Sequence, residues 1–148
     1  MGKRLAPLLM VLAFLFNLLV CFLDPTEFIG TRALGQVVFL LGLLLLLYVT
    51  YYLRRGFFGE VEPNLDHLVT DGPYRWSRHP LYLIFLTIMV GLGLMFGSPW
   101  GLVSTLLLAL PSVIYRARWE EEALAVRFGS EWQEYKEGAG FLVPRIKR

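Results

Sequence analysis

Residues 72–82 read Gly72-Pro-Tyr-Arg-Trp-Ser-Arg-His-Pro-Leu-Tyr82, which places two arginines, a histidine and two tyrosines between long hydrophobic segments. Proline is favoured in the first turn of a helix, so Pro80 predicts a helix start with His79 just before it. The unpaired N–H groups and positive dipole end of that helix, beside Arg78, favour a carboxylate or phosphate. Basic residues also anchor helix ends at lipid headgroups, and this stretch alone favours that simpler interpretation.

The composition around this stretch is that of a membrane protein. Of the 148 residues, 56% are hydrophobic, and most of them fall into blocks. We therefore predict an all-α, polytopic membrane fold in which residues 1–148 form a single domain. The lone Cys21 excludes an internal disulfide and a cysteine-cluster metal site, and two histidines without ligand spacing predict no metal. The net charge of +2 is uninformative, and no nucleic-acid partner is expected.

The apolar blocks predict about four transmembrane helices. Residues 1–53 hold two of them, at 5–23 and 33–53, and residues 54–80 form a polar connector. The connector carries four acidic residues: Glu60, Glu62, Asp66 and Asp71. Within residues 81–148, two shorter apolar runs flank the turn sequence Gly97-Ser-Pro-Trp100 and predict a helical hairpin. Both runs are short for a bilayer core of roughly 30 Å, so a transmembrane and a re-entrant hairpin both remain open.

The second helix of the hairpin has no breaker between Pro111 and Gly129, so it should continue into water as a charged helix. On that extension, Arg118 lies at helical spacing from Glu121 and Glu122. A second short helix carrying Trp132 and Tyr135 should follow.

The basic residues predict the orientation. Of the 14 lysines and arginines, only Arg32 falls in a loop assigned to the outside. Both termini, the 54–80 connector and the C-terminal helices should therefore be cytoplasmic. This topology brings Arg78 and His79 to the same membrane face as residues 118–122, at the two ends of one hairpin.

Together these residues carry a family resemblance. The 72–82 motif, a hydrophobic hairpin, Arg118-Trp-Glu-Glu-Glu-Ala-Leu124, Phe128-Gly129, and a Val143-Pro144 tail resemble the C-terminal half of the isoprenylcysteine carboxyl methyltransferases and the related phospholipid methyltransferases. The resemblance implies an integral membrane enzyme that binds S-adenosylmethionine at the cytoplasmic face. The acceptor would be a lipophilic or lipidated molecule that enters from the membrane lipids. The N-terminal half shows no such match.

S-adenosylmethionine needs an anion site, acidic groups and aromatic faces, and this sequence supplies all three. The expected cofactor-binding residues are Tyr74, Arg78, His79, Pro80, Tyr82 and Glu122. The expected catalytic residues are Arg118, Glu121 and Glu122. Adjacent helix positions diverge by about 100°, so only one glutamate can point fully into a shared pocket. We expect Glu122 to do so, with Glu121 as the alternative.

The residues are compatible with more than one acceptor and more than one function. An ionised carboxylate or thiolate acceptor needs only an orienting arginine and a dry pocket, whereas an amine needs a base. A membrane sterol-type reductase that uses NADPH resembles the same pattern, although such families usually carry Arg-Asp where this chain has Glu-Glu. A non-catalytic membrane assembly protein is a further alternative. The sequence gives neither the methyl acceptor nor the oligomeric state.

Overall fold

A computed structural model describes residues 2–26, 30–54 and 68–145. The elements are α1 (Gly2–Leu23), α2 (Arg32–Arg54), α3 (Pro80–Phe96), α4 (Pro99–Ser104), a π-helical turn (Thr105–Ala109), α5 (Leu110–Phe128) and α6 (Ser130–Gly138). A 3₁₀ turn at Gly72–Arg75 precedes α3. The all-α expectation is confirmed for these ranges, in which the strand-like pairing is a single bridge between Ser77 and Gly140.

Among the described residues, two stretches are long and apolar enough to cross a bilayer. They are Arg32–Tyr52, with 21 residues, and Pro99–Phe128, with 30 residues, which runs from α4 to the end of α5. The apolar helices Pro7–Leu23 and Pro80–Phe96 are shorter. Large apolar side chains cover the outside of the helices; Phe22, for example, is 75% exposed. Such a surface indicates a membrane protein, because these side chains are stable against lipid tails.

Of the predicted 54–80 connector, the structure describes Arg54, which is the last residue of α2, and residues 68–80. Glu60, Glu62 and Asp66 lie outside the described residues, whereas Asp71 immediately precedes the 3₁₀ turn.

Helix α3 is the centre of the packing, and glycine lets α2 approach it closely. A Cβ atom at Gly91 would lie 2.7 Å from the backbone nitrogen of Phe39 on α2. Ile84, Ile88 and Leu92 of α3 form a buried cluster with residues of α1 and α2. Because the backbones of α2 and α3 nearly touch, both helices are held in register along their length.

A turn at Gly97 and Ser98 connects α3 to α4. Helix α3 ends at Gly97, whose φ of 64° is the left-handed conformation that favours glycine. Ser98 then caps α4 by accepting a hydrogen bond from the Gly101 N–H. The chain returns through α5 to Gly129, where a φ of 53° marks the helix end. His79 and the acidic residues of α5 therefore lie at the same end of the hairpin.

A buried amide fastens α1 to the other end of the hairpin. Asn17 is fully buried, and its Nδ2 lies 2.7, 2.7 and 2.9 Å from Gly101 O, Ser104 Oγ and Thr105 Oγ1. The last two residues flank the start of the π-helical turn. Buried polar groups in a membrane are stable only when they are paired, so this cluster fixes how α1 sits against α4.

Replacing Asn17 by alanine should lower the free energy of unfolding in detergent by about 1–2 kcal/mol, the scale of interhelical hydrogen bonds in membranes. Thermal unfolding followed by circular dichroism measures it. Leu18→Ala, at a neighbouring site that is 38% exposed, is the control and should cost less. Equal losses from both variants would show that the amide contributes nothing beyond packing.

Candidate active site

The segment before α3 is held against α2 by a close approach at Gly72. Its φ of 58° is left-handed, and a Cβ there would lie 2.5 Å from Cζ of Tyr52. Pro73 then begins the 3₁₀ turn, and His79 is the N-cap of α3 with Pro80 in the first helical position. The predicted helix start is therefore confirmed.

A C-terminal strap, which we define as residues 139–145, pairs with this segment through the backbone. Arg78 N–H donates to Gly140 O at 2.8 Å, and Gly140 N–H donates to Trp76 O at 3.0 Å. The Ser77 hydroxyl donates to Leu142 O at 2.8 Å. These bonds fix the backbone on either side of Arg78, so the orientation of its side chain depends on the strap.

Helix α6 also contacts the segment before α3. Its Trp132 is 2% exposed, and the Tyr135 hydroxyl donates to the carbonyl oxygen of Tyr74 at 2.7 Å. The guanidinium of Arg78 lies 6.0 Å from the Trp132 ring and 5.5 Å from the Phe141 ring of the strap. Arg78 is thus enclosed by aromatic faces that favour a cation.

A buried charge cluster forms where α3 begins and α5 passes. Arg78 Nε lies 3.2 Å from Glu121 Oε1, and the two side chains are 9% and 13% exposed. His79, with a side chain that is 4% exposed, brings Nε2 to 3.3 Å from the same oxygen. Arg78 Nε makes this contact without a well-directed hydrogen bond, and its Nη1 is buried with no hydrogen-bond partner among the described residues. The guanidinium therefore keeps donor capacity that a ligand can use.

A second polar group lies on the adjacent face of α5. The Tyr82 hydroxyl donates to Glu120 Oε1 at 2.6 Å, and Arg116 Nε approaches the same oxygen to 2.9 Å. Arg116 Nε also lies 3.3 Å from the Tyr82 hydroxyl. Because successive helix residues diverge by about 100°, Glu120 and Glu121 reach the two sides of one imidazole, that of His79.

His79 separates the two groups and is uncharged at neutral pH. Glu120 and Glu121 favour the imidazolium, but burial and, after it, the charge of Arg78 outweigh them and lower the pKa of His79 to about 4. We assign the neutral ring its proton on Nε2, which then donates to Glu121. The ring stacks on Tyr82, with centroids 5.5 Å apart.

A family model described as phospholipid methyltransferase matches residues 30–131, from the start of α2 to the start of α6. The chain belongs to this phospholipid methyltransferase family. The matched range contains the 72–82 motif, the hairpin and all the charged residues of the cluster.

Individual relatives of this methyltransferase-family chain carry two kinds of name. It is 39% identical over 88 residues to the protein-S-isoprenylcysteine O-methyltransferase of Saccharomyces cerevisiae, covering 59% of this chain and 37% of the relative. It is 30% identical over 129 residues to the methanethiol S-methyltransferase of Pseudomonas deceptionensis, covering 78% and 47%. The chain spans about half the length, or less, of the curated relatives it matches. No solved structure matches it with comparable significance.

The structure brings most of the predicted site residues together. Arg78, His79, Tyr82 and Glu121 meet in the cluster, Tyr74 lies beside it through its bond to α6, and Pro80 is buried at the helix start. Glu122 and Arg118 are exposed instead. The geometry favours Glu121 over Glu122 as the glutamate that faces His79, because the two positions diverge by about 100° around the helix. A catalytic role for any of them stays a prediction.

Sequence reasoning missed three residues of this methyltransferase-family site. Arg116 and Glu120 stand at i and i+4 on α5, a spacing that signals an ion pair but not a contact with Tyr82. Phe141 had no signal, since the strap has no periodic pattern and only the tertiary fold places its ring over Arg78.

The lowered pKa of His79 predicts how stability depends on pH. The pKa of His79 is about 4 in the folded chain and about 6.5 in the unfolded chain. As the pH falls, the unfolded chain therefore binds a proton before the folded chain does. The stabilisation is complete above pH 6.5 and should be lost progressively toward pH 4, by an amount on the order of 3 kcal/mol.

Thermal unfolding in detergent between pH 7 and 4 measures this loss. His79→Gln removes the titrating group, so the free energy of unfolding of the variant should fall less steeply with pH than that of the native chain. The carboxylates titrate in both proteins, so the difference between the two curves isolates the contribution of His79. Parallel curves for the two proteins would mean that His79 is not buried in neutral form.

Proposed function

We propose that this chain is an integral membrane methyltransferase that uses S-adenosylmethionine and transfers its methyl group to a lipophilic acceptor entering from the bilayer. One observation carries the proposal. The guanidinium of Arg78 is buried next to a carboxylate and aromatic rings, yet its Nη1 has no hydrogen-bond partner among the described residues. Such an orphaned donor costs free energy unless a ligand satisfies it.

The residues around Arg78 fit the chemical groups of this cofactor. Arg78 would hold the carboxylate, in the geometry that makes guanidinium–carboxylate pairs strong. Glu121 would meet the amino group, and the faces of Tyr74, Tyr82 and Phe141 would lie against the adenine and the sulfonium. When bound, the cofactor supplies an electrophilic methyl group on a positively charged sulfur.

The protein's own contribution would be alignment and exclusion of water. Methyl transfer requires the donor and acceptor atoms in line, and holding two reactants so supplies roughly 7–11 kcal/mol of barrier reduction. The strap and α6 support this role because they hold the Arg78 segment through backbone hydrogen bonds. The neutral His79 keeps Glu121 in place through its Nε2–H.

The names of the relatives support a lipophilic acceptor. They are compatible with more than one chemical group as the site that receives the methyl group. One relative is named for a lipidated cysteine and another for a small thiol. A carboxylate, an amine and a thiol are therefore all compatible with family membership, and in this chain the approach would be from the lipid-facing surface of the hairpin.

We further infer four transmembrane helices, formed by α1, α2, α3 and the continuous stretch Pro99–Phe128, with both termini and the site at the cytoplasmic face. The distribution of basic residues supports this orientation. A fluorescent-protein fusion after Arg148 in a bacterial inner membrane should be bright, and an alkaline phosphatase fusion there should be inactive. The opposite pattern would contradict the orientation.

Arg78→Ala should weaken binding of S-adenosylmethionine by about 1.5–3 kcal/mol, the scale of a hydrogen bond to a charged group. This corresponds to roughly 10- to 150-fold in Kd. Isothermal titration of the detergent-solubilised chain measures it.

Arg75→Ala is the matched control, because Arg75 lies in the same segment and is exposed. It should leave the affinity unchanged. Equal losses from the two variants would mean that the arginines act only as headgroup anchors.

A further inference from the structure

The length of α3 sets the depth of the segment before it. The helix has 17 residues, from Pro80 to Phe96, and is therefore about 25 Å long at 1.5 Å per residue. The hydrocarbon core of a bilayer is roughly 30 Å thick, and the headgroup layers lie outside it. Because α3 spans the bilayer in the proposed topology, the residues just before Pro80 lie at the boundary with the headgroups. The strap pairs with these residues, so it lies there too.

Backbone hydrogen bonds hold several exposed residues of this segment and the strap close together. The carbonyl oxygen of Trp76 accepts from the Gly140 N–H at 3.0 Å and from the Arg145 N–H at 2.9 Å. Trp76 is 53% exposed and Val143 is 72% exposed. We call the exposed residues on the two sides of these bonds the strap surface; they are Arg75, Trp76, Val143 and Arg145.

The charge of the strap surface fits an anionic partner. Residues 72–80 and 138–148 contain five arginine and lysine side chains and no acidic one. Neither Arg75 nor Arg145 forms an ion pair with a carboxylate of the described residues. Arg145 Nη1 donates to the backbone carbonyl oxygen of Glu137 at 3.4 Å, which leaves the charge of the guanidinium uncompensated.

A tryptophan, a valine and arginines exposed together are typical of a protein surface that binds anionic lipid. An indole ring prefers the headgroup level of a bilayer, and an exposed aliphatic side chain beside it gains by contact with lipid. Each basic residue close to anionic lipid strengthens binding by about fivefold. Together with the depth set by α3, these properties favour lipid headgroups over an acidic protein.

The strap connects this surface to the cofactor site. The ring of Phe141 lies 5.2 Å from the His79 ring and 5.5 Å from the guanidinium of Arg78. Ser77, which is 1% exposed, donates its hydroxyl to the carbonyl oxygen of Leu142. A lipid that binds the strap surface therefore also favours the arrangement in which Phe141 lies against Arg78.

We propose that the strap surface docks on anionic phospholipid headgroups and that this docking raises the affinity of the Arg78 cluster for its cofactor. The coupling rests on the proposed function, whereas the docking rests only on the membrane position of α3. Such coupling is reciprocal, so a bound cofactor also strengthens the docking. Phosphatidylcholine has no net charge, and it should not replace an anionic lipid such as phosphatidylglycerol.

Native mass spectrometry of the full-length chain in detergent tests the docking by itself. With equal amounts of phosphatidylglycerol and phosphatidylcholine added, the chain should retain phosphatidylglycerol in preference. Arg145→Gln should lower this preference about fivefold, the contribution of one basic residue. Arg127→Gln is the matched control, because it removes an exposed cation from the end of α5, outside the strap surface. It should leave the preference unchanged.

Two results would overturn the docking. One is equal retention of the two lipids by the native chain. The other is an equal loss of preference in Arg145→Gln and Arg127→Gln, which would show that the net charge of the chain decides.

Binding in nanodiscs tests the coupling. S-adenosylhomocysteine is the ligand, because it carries no net charge and is not concentrated at an anionic membrane. The native chain should bind it about 5- to 30-fold more tightly with equal parts of the two lipids than with phosphatidylcholine alone, since two basic residues contribute. Arg145→Gln should reduce this advantage about fivefold and leave the affinity in phosphatidylcholine unchanged. Arg75→Ala should likewise be neutral in detergent, where no anionic lipid is present.

Equal affinities of the native chain in the two membranes would overturn the coupling. Weaker binding by Arg145→Gln in phosphatidylcholine alone would also overturn it, because Arg145 would then act only on the fold of the strap. A gain on adding poly-glutamate to phosphatidylcholine nanodiscs, as large as that with phosphatidylglycerol, would identify an acidic protein as the partner instead. The proposed function fails separately, if the native chain binds neither S-adenosylmethionine nor S-adenosylhomocysteine in either membrane; the retention of phosphatidylglycerol still decides the docking.

Discussion

The ion pair between Arg78 and Glu121 is the constraint on which the charged end of this fold depends. A guanidinium that is 9% exposed is stable only with a compensating charge, and that charge comes from a helix more than forty residues further along the chain. The hairpin has to return α5 to the start of α3 for the pair to form. The backbone bonds of the strap then prevent Arg78 from turning away into water.

Hydrogen bonds at the other end of the hairpin also fix the positions of its helices. Asn17 ties α1 to α4, and the Asp24 carboxylate accepts a hydrogen bond from the Ser98 hydroxyl at 2.5 Å. Between the two ends, the contact of α2 with α3 at Gly91 leaves little freedom to slide. The polar contacts at both ends and the glycine contact together set the position of α5 along the axis of α3. This position determines which acidic residues reach His79.

Much of this architecture was predictable from local chemistry. Pro80, Gly97 and Gly129 mark helix boundaries because proline is favoured at helix starts and glycine at helix ends. The structure confirms all three boundaries. The length of the apolar segments predicts a membrane protein. These features depend on a few neighbouring residues, so a single sequence carries them.

The choice among the glutamates was not predictable in the same way. It depends on the rotation of α5 about its own axis, and the π-helical turn at Thr105–Ala109 adds a residue to one turn and so rotates everything after it. No local sequence pattern predicts that turn, and none predicts that the strap places Phe141 beside Arg78. Side-chain pairing across the hairpin is therefore a property of the tertiary structure, and it moves the emphasis from Glu122 to Glu121 and Glu120.

We propose that the cluster around Arg78 binds S-adenosylmethionine. Titrating the solubilised chain with S-adenosylmethionine, S-adenosylhomocysteine and NADPH in parallel tests it most directly. We expect saturable binding of the first two at one site per chain and no binding of NADPH. Binding of NADPH in preference would indicate a reductase, and no binding of any of the three would indicate an assembly protein; either result would contradict the proposed cofactor site.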